Sequence, residues 1–282
     1  MEVLVSKGFL VFAHNTDTVD YIKQAYALAL SIKFSQQQHA NISLVTNDIV
    51  PTEYIDIFDA IIPIPWGDHS ENPGYQAENR WKLYHATPYE ETIVLDTDML
   101  LLEDISVWWD YCSKYDLKYC STITNYKLET VVDTIHRKAF IANKLTSPYS
   151  ALHYFKKSPT ALIFYKTLEF VCNNWEWCYT KFAPNEYQSW LSMDLAVAIA
   201  IEITGMHNEA IDMCCPLRFV HMKGPLQGWP LDTASWQDNV FCFLNSKGDL
   251  IVGNIKQSKL FHYVEKDFLN QRIIDGLRRL VK

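Results

Sequence analysis

No apolar run in this sequence reaches the roughly 20 residues that a membrane-spanning helix needs. The nearest, Leu195 to Ile203, carries Glu202 and soon meets Gly205. The opening MEVLVSKGFLVFAHNT has no apolar stretch closed by a small-residue cleavage site, so it reads as a first strand and not as a secretory signal. Basic charge is also short: 25 Lys and Arg face 33 Asp and Glu, a net charge of −8. Such a chain does not steer itself onto nucleic acid or an anionic membrane, although a local basic groove is compatible with the total. The seven cysteines are an odd number, with no C-x-x-C pair and no zinc-like spacing to histidine, and read as reduced, mostly buried thiols. Repeats, low-complexity tracts and linkers are missing. Together these absences predict a soluble, cytoplasmic protein with no stable membrane association, for which nucleic acid is not an expected partner.

What is present is apolar and aromatic. Hydrophobic residues make up 49% of the 282, and aromatics 14%, including nine Trp. That is enough to bury one large core or two unequal lobes. Trp and Tyr offer flat apolar faces with a polar edge, which suits sugars and bases, though most tryptophans in any chain are core.

Gly8 to Ala13 reads as a buried strand, and Asp17 resembles the N-cap of a helix with apolar residues at helical spacing from Tyr21 to Ile32. Ile42 to Thr46 and Ala60 to Ile64 read as two further strands. Strand and helix alternating in this way predict an α/β fold with a mainly parallel sheet flanked by helices. A polar loop from Trp66 to Glu78 leads to a helix over about Asn79 to Ala86, then to a strand over Glu91 to Leu95. A short helix at Ile105 to Tyr111 and a strand at Leu117 to Thr124 follow. Asn125 to Tyr149 has no clean period and reads as a mobile or acceptor-side loop. Ser158-Pro159 marks the start of a helix running to about Tyr179, and a second covers about Gln188 to Thr204, stopping at Gly205. Arg218 to Met222 is a strand, Asn245 to Gly248 turns a hairpin, and Glu265 to Val281 is a closing helix. The chain is expected to be one catalytic domain, with a nucleotide-binding half over about 1–124 and a dependent acceptor lobe over about 125–282.

The sharpest chemical feature is the strand ETIVL running into Asp96-Thr97-Asp98. In an open α/β sheet, ligands bind beyond the carboxyl ends of the strands. Two carboxylates one residue apart at that edge make a hard oxygen site for Mg²⁺ or Mn²⁺, which can neutralise a departing diphosphate. Taken alone, the pair is also a common strand-end turn. Upstream, Arg80 and Lys82 add a forked and a point charge suited to phosphate, or else a solvated helix face.

The run of a basic helix, T-P-Y, apolar strand, D-x-D and L-x-x-I resembles glycosyltransferases of the GT-A fold, a Rossmann-like nucleotide-diphospho-sugar transferase fold. The resemblance is to those related to glycosyltransferase family 8, including glycogenin-like, bacterial and phage relatives. It covers the N-terminal half best, Ser192 to Trp229 partly, and Asn125 to Tyr149 hardly at all. VFAHNTDTVDYIKQAYALALSIK is similar to the family's first strand and helix, which implies that Ala13, His14 and Asn15 line the base and ribose and that Tyr21 stacks near the base. Arg80, with Lys82 as a second candidate, matches the family's basic residue before the metal strand, and Thr97 sits within the D-x-D at the nucleotide-sugar.

FVHMKGPLQGW is similar to the family's late H-x-x-G-x-x-K-P-W element, with His221, Gly224 and Trp229 in register. This implies His221 as third metal ligand beside Asp96 and Asp98, and Trp229 at the donor. Gln227 and Gly228 replace the family's Lys-Pro, so Lys223 is expected to take over the diphosphate contact. Asp194, at the start of an apolar helix, matches the family's acidic residue at the donor sugar, although Leu195 follows where Gln or Glu is usual. Tyr149-Ser150-Ala151 stands where the family has an N-S-G turn. His69, His136, His153 and His262 show no metal spacing.

The resemblance implies a manganese- or magnesium-dependent hexosyl- or pentosyltransferase, retaining in stereochemistry, that takes a nucleotide-sugar donor, by family expectation a UDP-sugar. The acceptor is not legible; a glycan is favoured over a hydroxymethylated DNA base. A D-x-D phosphatase or phosphotransferase with Asp96 as nucleophile lacks the expected Thr or Val after Asp98. A sugar-nucleotide pyrophosphorylase lacks the Gly-rich loop, since HNTDTVDY has no glycine. A catalytically inactive sugar-nucleotide-binding module is the remaining alternative, which the acidic pair and His221 disfavour.

Overall fold

The apolar segment at the start of the chain becomes an inner strand of the largest sheet. A computed structural model describes residues 5–36, 38–68, 77–186, 188, 190–212, 214–229 and 235–282. Among them the strands, in chain order, are β1 (Val5–Phe12), β2 (Ile42–Val45), β3 (Ala60–Ile62), β4 (Tyr89–Leu95), β5 (Met99–Leu101), β6 (Leu117–Cys120), β7 (Thr122–Thr124), β8 (Thr130–Val131), β9 (Tyr149–Lys156), β10 (Arg218–His221), β11 (Cys242–Leu244), β12 (Leu250–Val252), β13 (Ile255–Lys256) and β14 (Leu260–His262). They form three sheets, ordered β3-β2-β1-β4-β9-β6, β5-β14-β10-β7-β8 and β11-β12-β13.

In the first sheet β1 to β4 are mutually parallel, and β9 runs antiparallel between β4 and β6. The chain winds outward from β1 to β2 and β3, then returns to the other side of β1 for β4. That reversal opens a crevice at the carboxyl ends of β1 and β4, the place where open α/β sheets bind ligands. Val11 lies opposite Leu95, so the residues leaving β1 and those leaving β4 emerge side by side.

Both faces of this sheet are covered, which is why its strands read as unbroken apolar runs. Phe9 and Val11 pack with Ile22, Ala25, Leu28, Ala29 and Ile32 of helix Tyr21–Ser35. Leu10 and Val94 pack on the opposite face with helices Pro159–Asn173 and Met193–Thr204. Gly8 is required where β1 meets β4: a Cβ there would come within 2.3 Å of the Tyr89 ring.

Several boundaries differ from expectation for identifiable reasons. The cap of the first helix is Asp20, whose side chain accepts from Lys23 N at 2.9 Å, and not Asp17. Asn15 Oδ1 takes the N–H groups of Tyr21 and Ile22, so the intervening loop stays outside the helix. The helix expected at Asn79 to Ala86 is a 3₁₀ segment over Ala77–Lys82 followed by one α-turn, Leu83–Ala86. The strand expected at Leu117 to Thr124 divides at Ser121, and its halves join different sheets. The helix expected to reach Tyr179 breaks at Asn174, and the next begins at Met193 and not at Gln188. It ends as expected at a left-handed Gly205. β9 was hidden because seven of its eight residues are buried, leaving no alternation to read.

The hairpin at Asn245 to Gly248 is present between β11 and β12. The closing helix spans Gln271–Val281, capped by Asn270, with a separate 3₁₀ turn at Lys266–Phe268. Residues 69–76 of the expected Trp66 to Glu78 loop, including His69, lie outside the described residues. Among the described residues no helix is long and apolar enough to cross a membrane.

Candidate active site

Register across the second sheet assembles the chemistry. Asp96-Thr97-Asp98 leaves β4 and runs directly into β5, where Met99 lies opposite His262 of β14. Asp98 O accepts from Tyr263 N at 3.1 Å, which ties the turn to the end of β14. Asp96, Asp98 and His262 each present one ligand atom within 4.8 Å of the others, the one such metal-compatible group among the described residues. His262 Nε2 lies 2.9 Å from Asp98 Oδ2.

The third member of this group is His262, whereas His221, expected as the third ligand, stands beside it on the same cleft. The sheet order β5-β14-β10 explains the exchange: β14 is the strand next to β5, and β10 is one strand further away. His221 lies opposite His262, and the two rings stack with centroids 4.8 Å apart and planes 13° apart. Burial, then His262 and Lys223, push the His221 imidazole well below its usual range, so it is neutral. The buried Nδ1 atoms of both histidines have no hydrogen-bond partner among the described residues. Two carboxylates and an imidazole form a donor set that suits Mn²⁺ or Mg²⁺.

Each carboxylate also faces a cation. Arg80 Nη2 donates to Asp96 Oδ1, and Lys266 Nζ donates to Asp98 Oδ2. Burial alone would raise the Asp98 carboxyl, but His262 and Lys266 outweigh it and hold the group well below the usual carboxylate range. Both cations line a cleft of about 600 Å³, together with His14, Tyr21, Thr97 and Lys223. Burial depresses the Lys223 ammonium. His14 Nε2 lies 3.3 Å from Asp68 Oδ2.

The other wall carries Asp194 at the start of helix Met193–Thr204. Its Oδ1 accepts from Ser150 N at 2.8 Å and from Ser150 Oγ at 2.6 Å, and its Oδ2 is paired with Arg137 Nη2 at 2.8 Å. Burial would raise this carboxyl too; Arg137 and Ser150 hold it below the usual range. Arg137 is itself fixed over the Tyr149 ring at 3.7 Å and donates to Pro148 O at 3.1 Å. The segment between Asn125 and Tyr149, which also holds β8, thus contributes a charged wall to the cleft through Arg137 and helix Lys138–Asn143.

Four of the expected residues do not line the cleft. Lys82 is buried and donates to Gly67 O at 2.6 Å, away from the cleft. In a 3₁₀ turn, residues two apart point about 120° apart, so Arg80 and Lys82 cannot share a face. Trp229 stacks on Tyr126 with centroids 5.8 Å apart, because left-handed Gly228 turns the chain away. Ala13 is enclosed in the core and Asn15 caps the first helix, so neither side chain lines the cleft. His262 and Lys266 were missed, although LFHYV between Lys259 and Glu265 has the look of a short buried strand. Arg137 had no signal, since its segment has no period.

No protein-family model matches the sequence, and no curated protein does. Solved structures do match. The galactosyltransferase LgtC, in complex with donor and acceptor sugar analogs, aligns over 97% of this chain and 93% of its own, with a TM-score of 0.52 at 12% identity. Mouse xyloside xylosyltransferase 1 aligns over 92% of this chain and 97% of its own, with a TM-score of 0.53 at 10% identity. This chain spans 60% of the length of the glycosyltransferase GlyE of Streptococcus pneumoniae TIGR4, with a TM-score of 0.46 at 13% identity. The likeness to the first two is one of fold: the chain has the GT-A fold.

Proposed function

We propose that this cleft transfers a glycosyl group, hexosyl or pentosyl, from a nucleotide-sugar to an acceptor hydroxyl, with a divalent cation held by Asp96, Asp98 and His262. The observation that carries the reading is the convergence of those three groups at the switch point of a GT-A sheet, in a cleft of the size that small ligands occupy. The whole chain acts as one unit in this account, since the group joins the end of β4 to the end of β14. A UDP-sugar is the donor we assign by family resemblance.

When bound, the cation supplies charge neutralisation to the departing diphosphate. Arg80 and Lys223, both lining the cleft, add positive charge where charge grows as the glycosidic bond breaks. His14 and Tyr21 flank the side where β1 ends and bind the nucleotide. Asp194 is a poor general base, because a carboxyl held below its usual range stays ionised and takes up no proton near neutral pH. Its fixed negative charge instead stabilises positive charge developing at the anomeric carbon. With Asp194 a poor base, we assign retention of anomeric configuration by family resemblance.

Two experiments test the reading. Thermal-shift screening of nucleotide-sugars with and without Mn²⁺ is expected to show stabilisation that needs both; no stabilisation by any pair contradicts the assignment. NMR of the earliest product is expected to show the donor's anomer, and an inverted product contradicts retention.

A further inference from the structure

The resemblance leaves a gap where the family's diphosphate-binding lysine stands, and the structure shows what Gln227 does there. Its Nε2 donates to His221 O at 2.7 Å and its Oε1 accepts from Tyr126 N at 3.2 Å. Gln227 braces the end of β10 and does not line the cleft. Lys223 does, and so does a second lysine that enters from the far end of the chain. Lys266 opens the 3₁₀ turn after β14 and donates its ammonium to Asp98, with Nζ also 5.5 Å from the centre of the Tyr21 ring. It therefore bridges the metal side and the nucleotide side of the cleft.

The backbone that aims Lys266 is held firmly. Val264 sits at φ 64°, a left-handed conformation that is costly for a β-branched residue. Strain of this kind persists only where the surroundings impose it. Here Tyr263 N is bonded to Asp98 O, Glu265 accepts from Trp236 N at 2.7 Å, and Phe268 is fully buried. The turn returns Lys266 over Asp98 and lets it go no further than its own flexible stem.

On the reading that Asp98 is a metal ligand, an ammonium and a divalent cation compete for the same carboxylate. Like charges a few ångströms apart repel, so neither sits there comfortably with the other unless one of them finds an anion. A diphosphate is such an anion. We infer that Lys266 is a shared counter-ion: it holds Asp98 until a divalent cation takes that carboxylate, and its ammonium then passes to the diphosphate of the donor, so that cation and nucleotide bind with positive coupling. Lys266 is thus a donor-binding residue that acts beside Lys223 where position 227 has no lysine. Coupling of this kind is reciprocal, each ligand tightening the other by the same factor.

Titration calorimetry with Mn²⁺ alone, with UDP alone and with UDP at saturating Mn²⁺ tests this on the wild-type chain, Lys266→Met and Lys266→Arg. Lys266→Met is expected to bind Mn²⁺ alone about tenfold more tightly and UDP in the presence of Mn²⁺ about tenfold more weakly, as loss of one charge-assisted contact implies in each case. Lys266→Arg keeps the charge and is expected to retain the coupling. A side chain that merely supported the fold would lower the melting temperature without moving the two affinities in opposite directions. Wild-type protein that binds both ligands, with Lys266→Met leaving both affinities unchanged or weakening both, overturns the inference alone. Wild-type protein that binds neither Mn²⁺ nor UDP overturns the functional reading and the inference with it.

Discussion

His221 and His262 face each other across neighbouring parallel strands, their rings stacked nearly parallel with centroids 4.8 Å apart, yet only His262 belongs to the group formed with Asp96 and Asp98. The difference follows from strand order. β14 is hydrogen-bonded to β5, which continues directly from the acidic turn, so its terminal histidine is carried against Asp98. β10 is one strand further, and His221 supports the ring that touches the carboxylate.

The two histidines are therefore expected to differ on substitution. His262→Ala removes a ligand and is expected to weaken Mn²⁺ binding by about 100-fold. His221→Ala removes a neighbour that orients the ligand and is expected to cost about tenfold, within the range for supporting residues at metal sites. Calorimetry with Mn²⁺ reads both. Equal losses, or a larger loss at His221, contradict the assignment.

Asp194 makes a pH-dependent contribution whose sign follows from its surroundings. Its folded carboxyl is held below the usual range, whereas in the unfolded chain it titrates at about 3.9. The stability it contributes is fully present above that value and is lost as pH falls through the depressed folded value. Melting temperatures measured from pH 7 down to pH 3 are expected to fall less steeply for Asp194→Asn than for the wild type. Arg137→Met removes the partner and is expected to destabilise the fold at pH 7 by about 2 kcal/mol, less than a fully buried pair because Asp194 is partly exposed. An acid limb identical in wild type and Asp194→Asn contradicts this account.

Trp229 and Lys82 separate resemblance from geometry. The family resemblance implies Trp229 at the donor and Lys82 as a second candidate there, yet Trp229 stacks on Tyr126 and Lys82 bonds to Gly67 O. Trp229→Phe and Lys82→Met are expected to leave the affinity for UDP within about twofold while lowering stability by about 1 kcal/mol each. A tenfold loss of UDP affinity in either variant places that side chain at the donor after all.

The part of the site that was legible in the sequence is the part built by continuous segments. β4 announces itself as an apolar run, and Asp96 and Asp98 follow at its end, where a parallel sheet exposes whatever comes next. The first strand and helix were equally plain, because their apolar spacing is regular. His262 was not legible: its strand has three residues, and its importance comes from pairing with β5, a partner about 160 positions earlier. Arg137 was hidden for a related reason, since its segment gains order by packing on Tyr149 and Asp194 and has no local period of its own. Lys82 was misplaced by one physical detail, the tighter winding of a 3₁₀ turn.

The central claim is that Asp96, Asp98 and His262 hold one divalent cation in front of a nucleotide. Anomalous scattering from a crystal grown with Mn²⁺ and UDP measures this directly. The account predicts a single strong manganese peak in the cleft bounded by those three side chains. A peak ligated elsewhere, or no peak while UDP is bound in the cleft, contradicts it.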